Sequence, residues 1–168
     1  MKSALLGILS AAIFASGTAF AAETAVPHVG ISAKAVDAAI KKLGFTAEQS
    51  KDKQGNPHFV IKEKSGNEKA VAIFMSDCKA GTCEDVTLYA DFGPVAKLKA
   101  DTLNEWNHIG SRLRSKAFRS DGIENAAGPV GISSTVSYLD DKAAHSFGMQ
   151  LGLFLVEVKM FSATIGKL

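Results

Sequence analysis

The sequence predicts an α+β domain in which helices pack on an antiparallel sheet, with elements in the order α-β-β-β-β-α-β-β-α. Three observations lead there. Val86, Leu88, Ala90 and Phe92 alternate with Thr87, Tyr89 and Asp91, the period-two pattern of a half-buried strand. Phe147, Leu151, Phe154, Leu155, Val158 and Phe161 recur at helical spacing and make one apolar stripe. Dense turn chemistry, at residues 52–57 (DKQGNP) and at Ser65, Gly66 and Asn67, separates runs too short for helices. Strands joined by such short turns pair antiparallel.

Along the chain, Ser32 is placed to cap a helix running to about Leu43, with Ile31, Val36, Ile40 and Leu43 on one apolar face and Gly44 as its stop. Residues 45–49 alternate as a first strand, and residues 58–63 form a second. Residues 69–75 (KAVAIFM) are apolar on both faces, which predicts a central third strand; the run at 86–92 is the fourth. Gly93 and Pro94 end it. A second helix is expected from Lys97 to about Arg112, with Leu98, Leu103, Trp106 and Ile109 facing inward. Extended segments follow around 115–120 and 130–138, with Asp121 and Gly122 as a hairpin signal between them. Asp140 and Asp141 favour the N-terminus of a last helix electrostatically. A single domain over residues 31–168 takes in all of these elements, and no repeat or low-complexity tract divides it.

Residues 1–21 read as a secretory signal peptide. Lys2 supplies the positive start, an apolar run follows from Ala4 to Ala15, and Ala19-Phe20-Ala21 supplies the small-residue cleavage site. That run is about a dozen residues, short of the roughly 20 that a membrane span needs, and no later stretch reads as long and apolar enough to span a bilayer. Residues 22–30 form a short arm expected to be mobile. Removing 21 of the 168 residues leaves 147, enough to bury a core without metals. The formal charge of +2 falls to +1 once Lys2 is gone, so the strong basic field that nucleic acid or an anionic membrane calls for is missing. The expected location is the periplasm of a Gram-negative type cell, with secretion as the second choice.

Export decides how the two cysteines are read. Cys78 and Cys83 flank Lys79, Ala80, Gly81 and Thr82. In an oxidising compartment an even pair at short spacing reads as a disulfide. A redox-active dithiol and a pair of free thiols remain the alternatives, although the spacing is not C-x-x-C and the loop lacks Trp, Pro and His.

A search for chemistry finds little. His28, His58, His108 and His145 form no metal-type spacing, so no metal and no cofactor is expected. Nucleophile-elbow, P-loop and dinucleotide motifs are absent, and no catalytic residue is assigned. Trp106, the only tryptophan, reads either as a core anchor or as a binding hot spot. Asn104 and Asn107 share a helix side and either brace neighbouring backbone or present amides to a ligand. Arg112 and Arg114, with Lys97, Lys99, Lys116 and Arg119 around them, form either a solvated face or a contact surface for an acidic partner. Asn104, Trp106, Asn107, Arg112 and Arg114 are therefore the candidate partner surface.

Three local features carry a family resemblance. An aromatic-rich strand, Ile73-Phe74-Met75-Ser76-Asp77, enters Cys78 and a short loop to Cys83. The alternating strand at 86–92 follows. The helix segment Leu103-Asn104-Glu105-Trp106-Asn107 has the form L-N-x-W-N, with Arg112, Arg114 and Phe118 after it. In these features and in element order, residues 33–163 resemble the YbjN family, also labelled bacterial sensory transduction regulators. Where members often carry an acidic strand after the basic pair, this chain has residues 134–138 (STVSY), with acids only at Asp140 and Asp141. The resemblance implies a fold similar to type III secretion chaperones, which bind proteins and do no chemistry.

The expected function is that of a non-catalytic periplasmic protein acting by protein–protein contact, as a small chaperone or regulatory subunit. Its expected partner is an envelope protein or a second copy of itself. A binding module for a small molecule or envelope polymer is the main alternative, and a thiol/disulfide redox protein the weaker one.

Overall fold

The structure, a computed structural model, describes residues 29–63, 66, 68–109, 115–120, 122, 128–138 and 143–166. The expected signal peptide at 1–21, most of the arm at 22–30, Arg112, Arg114, Asp121, Asp140 and Asp141 lie outside the described residues.

The first helix forms where local chemistry puts it. The Ser32 side chain accepts a hydrogen bond from the Ala35 N–H (3.2 Å) and caps α1 (Ala33–Lys42). At the other end Gly44 has φ +84, and the Gly44 and Phe45 N–H groups donate to Lys41 and Ile40. This is the closing geometry a glycine permits. One expectation changes here. Ile31 is not on the helix face but in a two-residue strand, β1 (Ile31–Ser32), that pairs with a later strand at Cys83 and Thr82. Gly30 already belongs to the domain, because a Cβ there would stand 2.5 Å from the Cys83 carbonyl oxygen.

Four strands then form an antiparallel meander: β2 (Ala47–Lys51), β3 (Pro57–Ile61), β4 (Ala70–Lys79) and β5 (Thr82–Pro94). The β2–β3 turn is built on Asp52, whose carboxylate accepts from the Gln54 and Asn56 N–H groups and the Asn56 amide. The β4–β5 hairpin turns on Ala80 and Gly81, at φ +49 and +87, the primed geometry that matches strand twist. Cys78 faces Cys83 directly across this hairpin and the two form a disulfide. Cys83 is buried and joins the core. The closure of so short a loop is worth about 2 kcal/mol in the chain-entropy account.

After β5 comes α2 (Ala100–Ile109), which starts three residues later than the sequence expects because Leu98 is taken into a turn on Val95. Strand β6 (Lys116–Arg119) and strand β7 (Pro129–Ser137) complete the sheet, and α3 (Ala143–Ile165) ends the fold. The main sheet path runs β2-β3-β4-β5-β7-β6, and β1 pairs β5 beyond the end of β7. The later strand β7 thus takes the inner place and β6 the edge.

One sheet face is covered. Phe59, Ile73 and Leu88 sit in register across β3, β4 and β5, with Ile61, Val71, Ala90, Ile132 and Ala117 in a second row. They meet Val36 and Ile40 of α1, Leu103 and Trp106 of α2, and Phe147, Leu151, Phe154, Val158 and Phe161 of α3 in one buried cluster. Edge strand β6 is held by side chains. The Ser115 N–H donates to buried Glu157 of α3 (2.9 Å), and the buried Arg119 guanidinium donates to the Gly128 and Leu98 carbonyls (both 3.0 Å). The opposite edge, β2, exposes Glu48, Gln49, Ser50 and Lys51, polar side chains that blunt pairing with another sheet.

A second expectation is corrected. Residues 145–165 of α3 are long and apolar enough to cross a membrane by length and composition. Its inward stripe fills the core, and its outer face is apolar as well.

Two predictions arise from these turns. Ala80 is a non-glycine residue held in the left-handed region. Ala80→Asn, which creates the Asn-Gly pair this turn favours, is expected to raise stability by about 1 kcal/mol. The midpoint of chemical denaturation, with the disulfide intact, reads it. The second concerns acid. The Thr46 hydroxyl and N–H donate to Glu63 at 2.7 and 2.8 Å and hold its pKa below the usual value. Burial alone would raise Asp52, but the hydrogen bonds from Asn56 and Gln54 outweigh it, and its pKa is lowered too. Both carboxyls bind protons less readily folded than unfolded. Their contribution is therefore complete above the ordinary values of 4.5 and 3.8 and is lost as pH falls through the lower folded values. The denaturation midpoint is expected to drop on acidification below those values, and to drop less in the double variant Glu63→Gln, Asp52→Asn.

Candidate functional site

Of the residues first suspected, the described ones divide between core and surface. Trp106 is only 6% exposed and meets Phe161 edge-on, with ring centroids 4.9 Å apart. Asn107 turns its amide to the outer edge of β6. Its Nδ2 donates to the Ala117 carbonyl and its Oδ1 accepts from the Ala117 N–H, both at 2.8 Å. This one amide thus does what a neighbouring strand would do. Asn104 is exposed, and Arg112 and Arg114 lie outside the described residues. For Trp106 the geometry supports the anchor reading, and for Asn107 the brace.

The sheet face away from the described helices carries an aromatic diagonal. His58 stacks on Phe74 with centroids 4.5 Å apart and planes 7° apart. Tyr89 follows at 6.4 Å from Phe74, and Phe118 at 5.8 Å from Tyr89. The Tyr89 and Phe118 rings meet over Gly131, where a Cβ would stand 2.8 Å from the Tyr89 ring. Burial among these rings, and secondarily the Asp91 carboxylate, pushes the Tyr89 hydroxyl pKa up. The two rings lie parallel on neighbouring strands, His58 of β3 opposite Phe74 of β4. This is the geometry of cross-strand stabilisation.

The surface with unmet contact potential lies on the helices. Met149, Leu153, Val156 and Met160 recur at i, i+4, i+7 and i+11 along the outer face of α3 and are 45–58% exposed. Beside them α1 and α3 pack closely through small residues. A Cβ at Gly148 would stand 3.8 Å from the Ala39 methyl, and one at Gly152 would stand 3.9 Å from Leu43. The small side chains leave an open groove of about 800 Å3. Ala35, Ala38, Ala39, Leu43, Gly148 and Met149 give it an apolar lining, and Ser32, Lys34, Lys42 and His145 add polar and basic side chains. No acidic side chain lines it. The groove offers burial for an apolar guest and positive charge at its border.

This surface had a sequence signal that a single-stripe reading passes over. Within α3 nearly every turn carries apolar residues on more than one side. A helix apolar all round has two faces to bury, and the described residues bury one. Among the described residues no group of three or more His, Cys, Asp and Glu side chains is placed to hold a metal. No family model, curated protein or solved structure matches the chain.

Proposed function

We propose that this chain is a non-catalytic envelope protein that acts through protein–protein contact, with the outer face of α3 and the adjoining groove as its contact surface. The observation that carries this reading is the row Met149, Leu153, Val156 and Met160, four large apolar side chains together in water on one helix. Contiguous apolar surface of this kind marks interaction sites, and methionine adapts to varied partners. The YbjN resemblance carries the same expectation of a protein-binding, chaperone-like role, and the signal-peptide reading places the partner in the periplasm.

A photo-crosslinking residue in place of Leu153 tests it. In envelope extract it is expected to yield protein adducts, whereas the same residue in place of Glu48 on the far sheet edge yields none. Absence of adducts at Leu153 would sink the reading, as would turnover of a substrate that is lost on changing one polar residue.

The groove's volume supports a second reading, since about 800 Å3 lies within the range of small-molecule sites. An apolar fluorescent probe displaced from the groove by an envelope lipid extract, with no protein adducts at Leu153, would favour it.

A further inference from the structure

We infer that the groove between α1 and α3 takes an amphipathic helix whose apolar stripe is bordered by acidic residues. This rests on the protein-contact reading and names the partner's chemistry. Lys34 and Lys42 lie on one side of α1, eight residues and so about 12 Å apart. Both are exposed at the rim. The acid of α1, Asp37, is already engaged by Lys41 at 2.6 Å. Between the two lysines the exposed side chain on that side is Ala38, four residues from each, so the border reads cation, methyl, cation over an apolar floor. A guest lying along this border must therefore be apolar toward α3 and anionic toward α1.

Its shape follows from the volume. Spread over the lining from Ser32 to Leu43, about 16 Å of α1, 800 Å3 gives a cross-section of about 50 Å2. That is about two thirds of the section of a helix about 10 Å across, as an open groove holding the inward side of a helix would be, and far exceeds a single extended hydrocarbon chain. The apolar row from Met149 to Met160 continues the groove for about 16 Å along α3, room for three helical turns with anchors at i, i+3 or i+4, and i+7.

Charge argues against a second copy as the guest. The acid on described α3 is Glu157, which is buried, so another α3 would bring Lys159 and no exposed carboxylate to Lys34 and Lys42. A bilayer surface would meet the cations but would leave the concave floor of Ala35, Ala38 and Gly148 unfilled.

The test uses the mature exported chain with its disulfide intact and two labelled synthetic peptides of about 14 residues, roughly four helical turns. Both carry leucine at i, i+3, i+4 and i+7; one has flanking glutamates and the other flanking lysines. At low ionic strength, fluorescence anisotropy is expected to show about tenfold tighter binding of the glutamate peptide, as two exposed ion pairs against two repulsions supply. The double variant Lys34→Glu, Lys42→Glu should reverse the order. Ala38→Trp, which fills the groove from an exposed position, should abolish binding of both peptides while leaving the circular dichroism melt unchanged. Equal affinity for the two peptides overturns the proposal, as does binding that survives Ala38→Trp. Partition onto phosphatidylglycerol vesicles without peptide preference overturns it in favour of a membrane surface. A concentration-dependent dimer that Leu153→Glu dissolves, again without peptide preference, overturns it in favour of a second copy. Protein adducts at Leu153 combined with no preference for the glutamate peptide keep the protein-contact reading and overturn this one alone.

Discussion

Phe161→Ala is expected to lower stability by about 3–5 kcal/mol and to reduce the melting temperature by about 10 °C. Phe161 is fully buried on α3, and its ring is met edge-on by two others, Trp106 of α2 at 4.9 Å and Phe92 of β5 at 5.1 Å. Three elements distant in sequence therefore share one aromatic contact. Truncation removes the transfer energy of the ring, opens a cavity that rigid neighbours cannot close, and discards two aromatic pairs worth about 0.5–1.5 kcal/mol each. Since domains of this size are stable by only about 5–15 kcal/mol, the variant folds marginally. Phe161→Leu keeps most of the volume and is expected to lose far less. Equal melting temperatures for Phe161→Ala and the parent chain would mean that α3 does not pack on α2 and β5 as described.

Asn107→Ala is expected to cost about 2 kcal/mol, because it strands the N–H and carbonyl of Ala117 at the outer edge of β6. Asn107→Asp separates the two bonds. The aspartate can still accept from the Ala117 N–H, but its second oxygen faces the Ala117 carbonyl, so acceptor meets acceptor. It is expected to be no better than alanine at neutral pH. Loss of the brace also leaves an unguarded strand edge, and aggregation on heating should rise with it. Chemical denaturation midpoints and light scattering during a thermal ramp read the two effects. A stability of Asn107→Ala equal to that of the parent would show that water replaces the amide at no cost.

These two residues bear on how far the site was readable in advance. Leu103, Trp106 and Asn107 stand out as a local pattern, but a pattern does not say which way a side chain points. Trp106 could anchor a core or a partner until α3 is seen to place Phe161 against it. Asn107 could bind a ligand until the sheet order puts β6 at the edge beside it. The apolar outer face of α3 was present in the composition, yet its exposure depends on which neighbours arrive. The groove is more distant still from sequence, since it needs Ala35, Ala38 and Ala39 of α1 opposite Gly148, more than a hundred residues away.

Local chemistry sufficed for the α+β class, the order of the main elements, the Ser32 cap, the Gly44 stop and the turn on Asp52, and it brought Cys78 within reach of Cys83 across a tight hairpin. Each depends on residues within a few positions of one another, where hydrogen bonds and backbone preferences act directly. The place of β7 inside β6, the addition of β1 to β5, the burial of Trp106 and the bare face of α3 came from packing. Those features turn on which surface covers which, and hydrophobic burial is non-directional. Periodicity marks a face as apolar, but the identity of what covers it, whether this chain's own sheet or another protein's helix, belongs to the assembled fold.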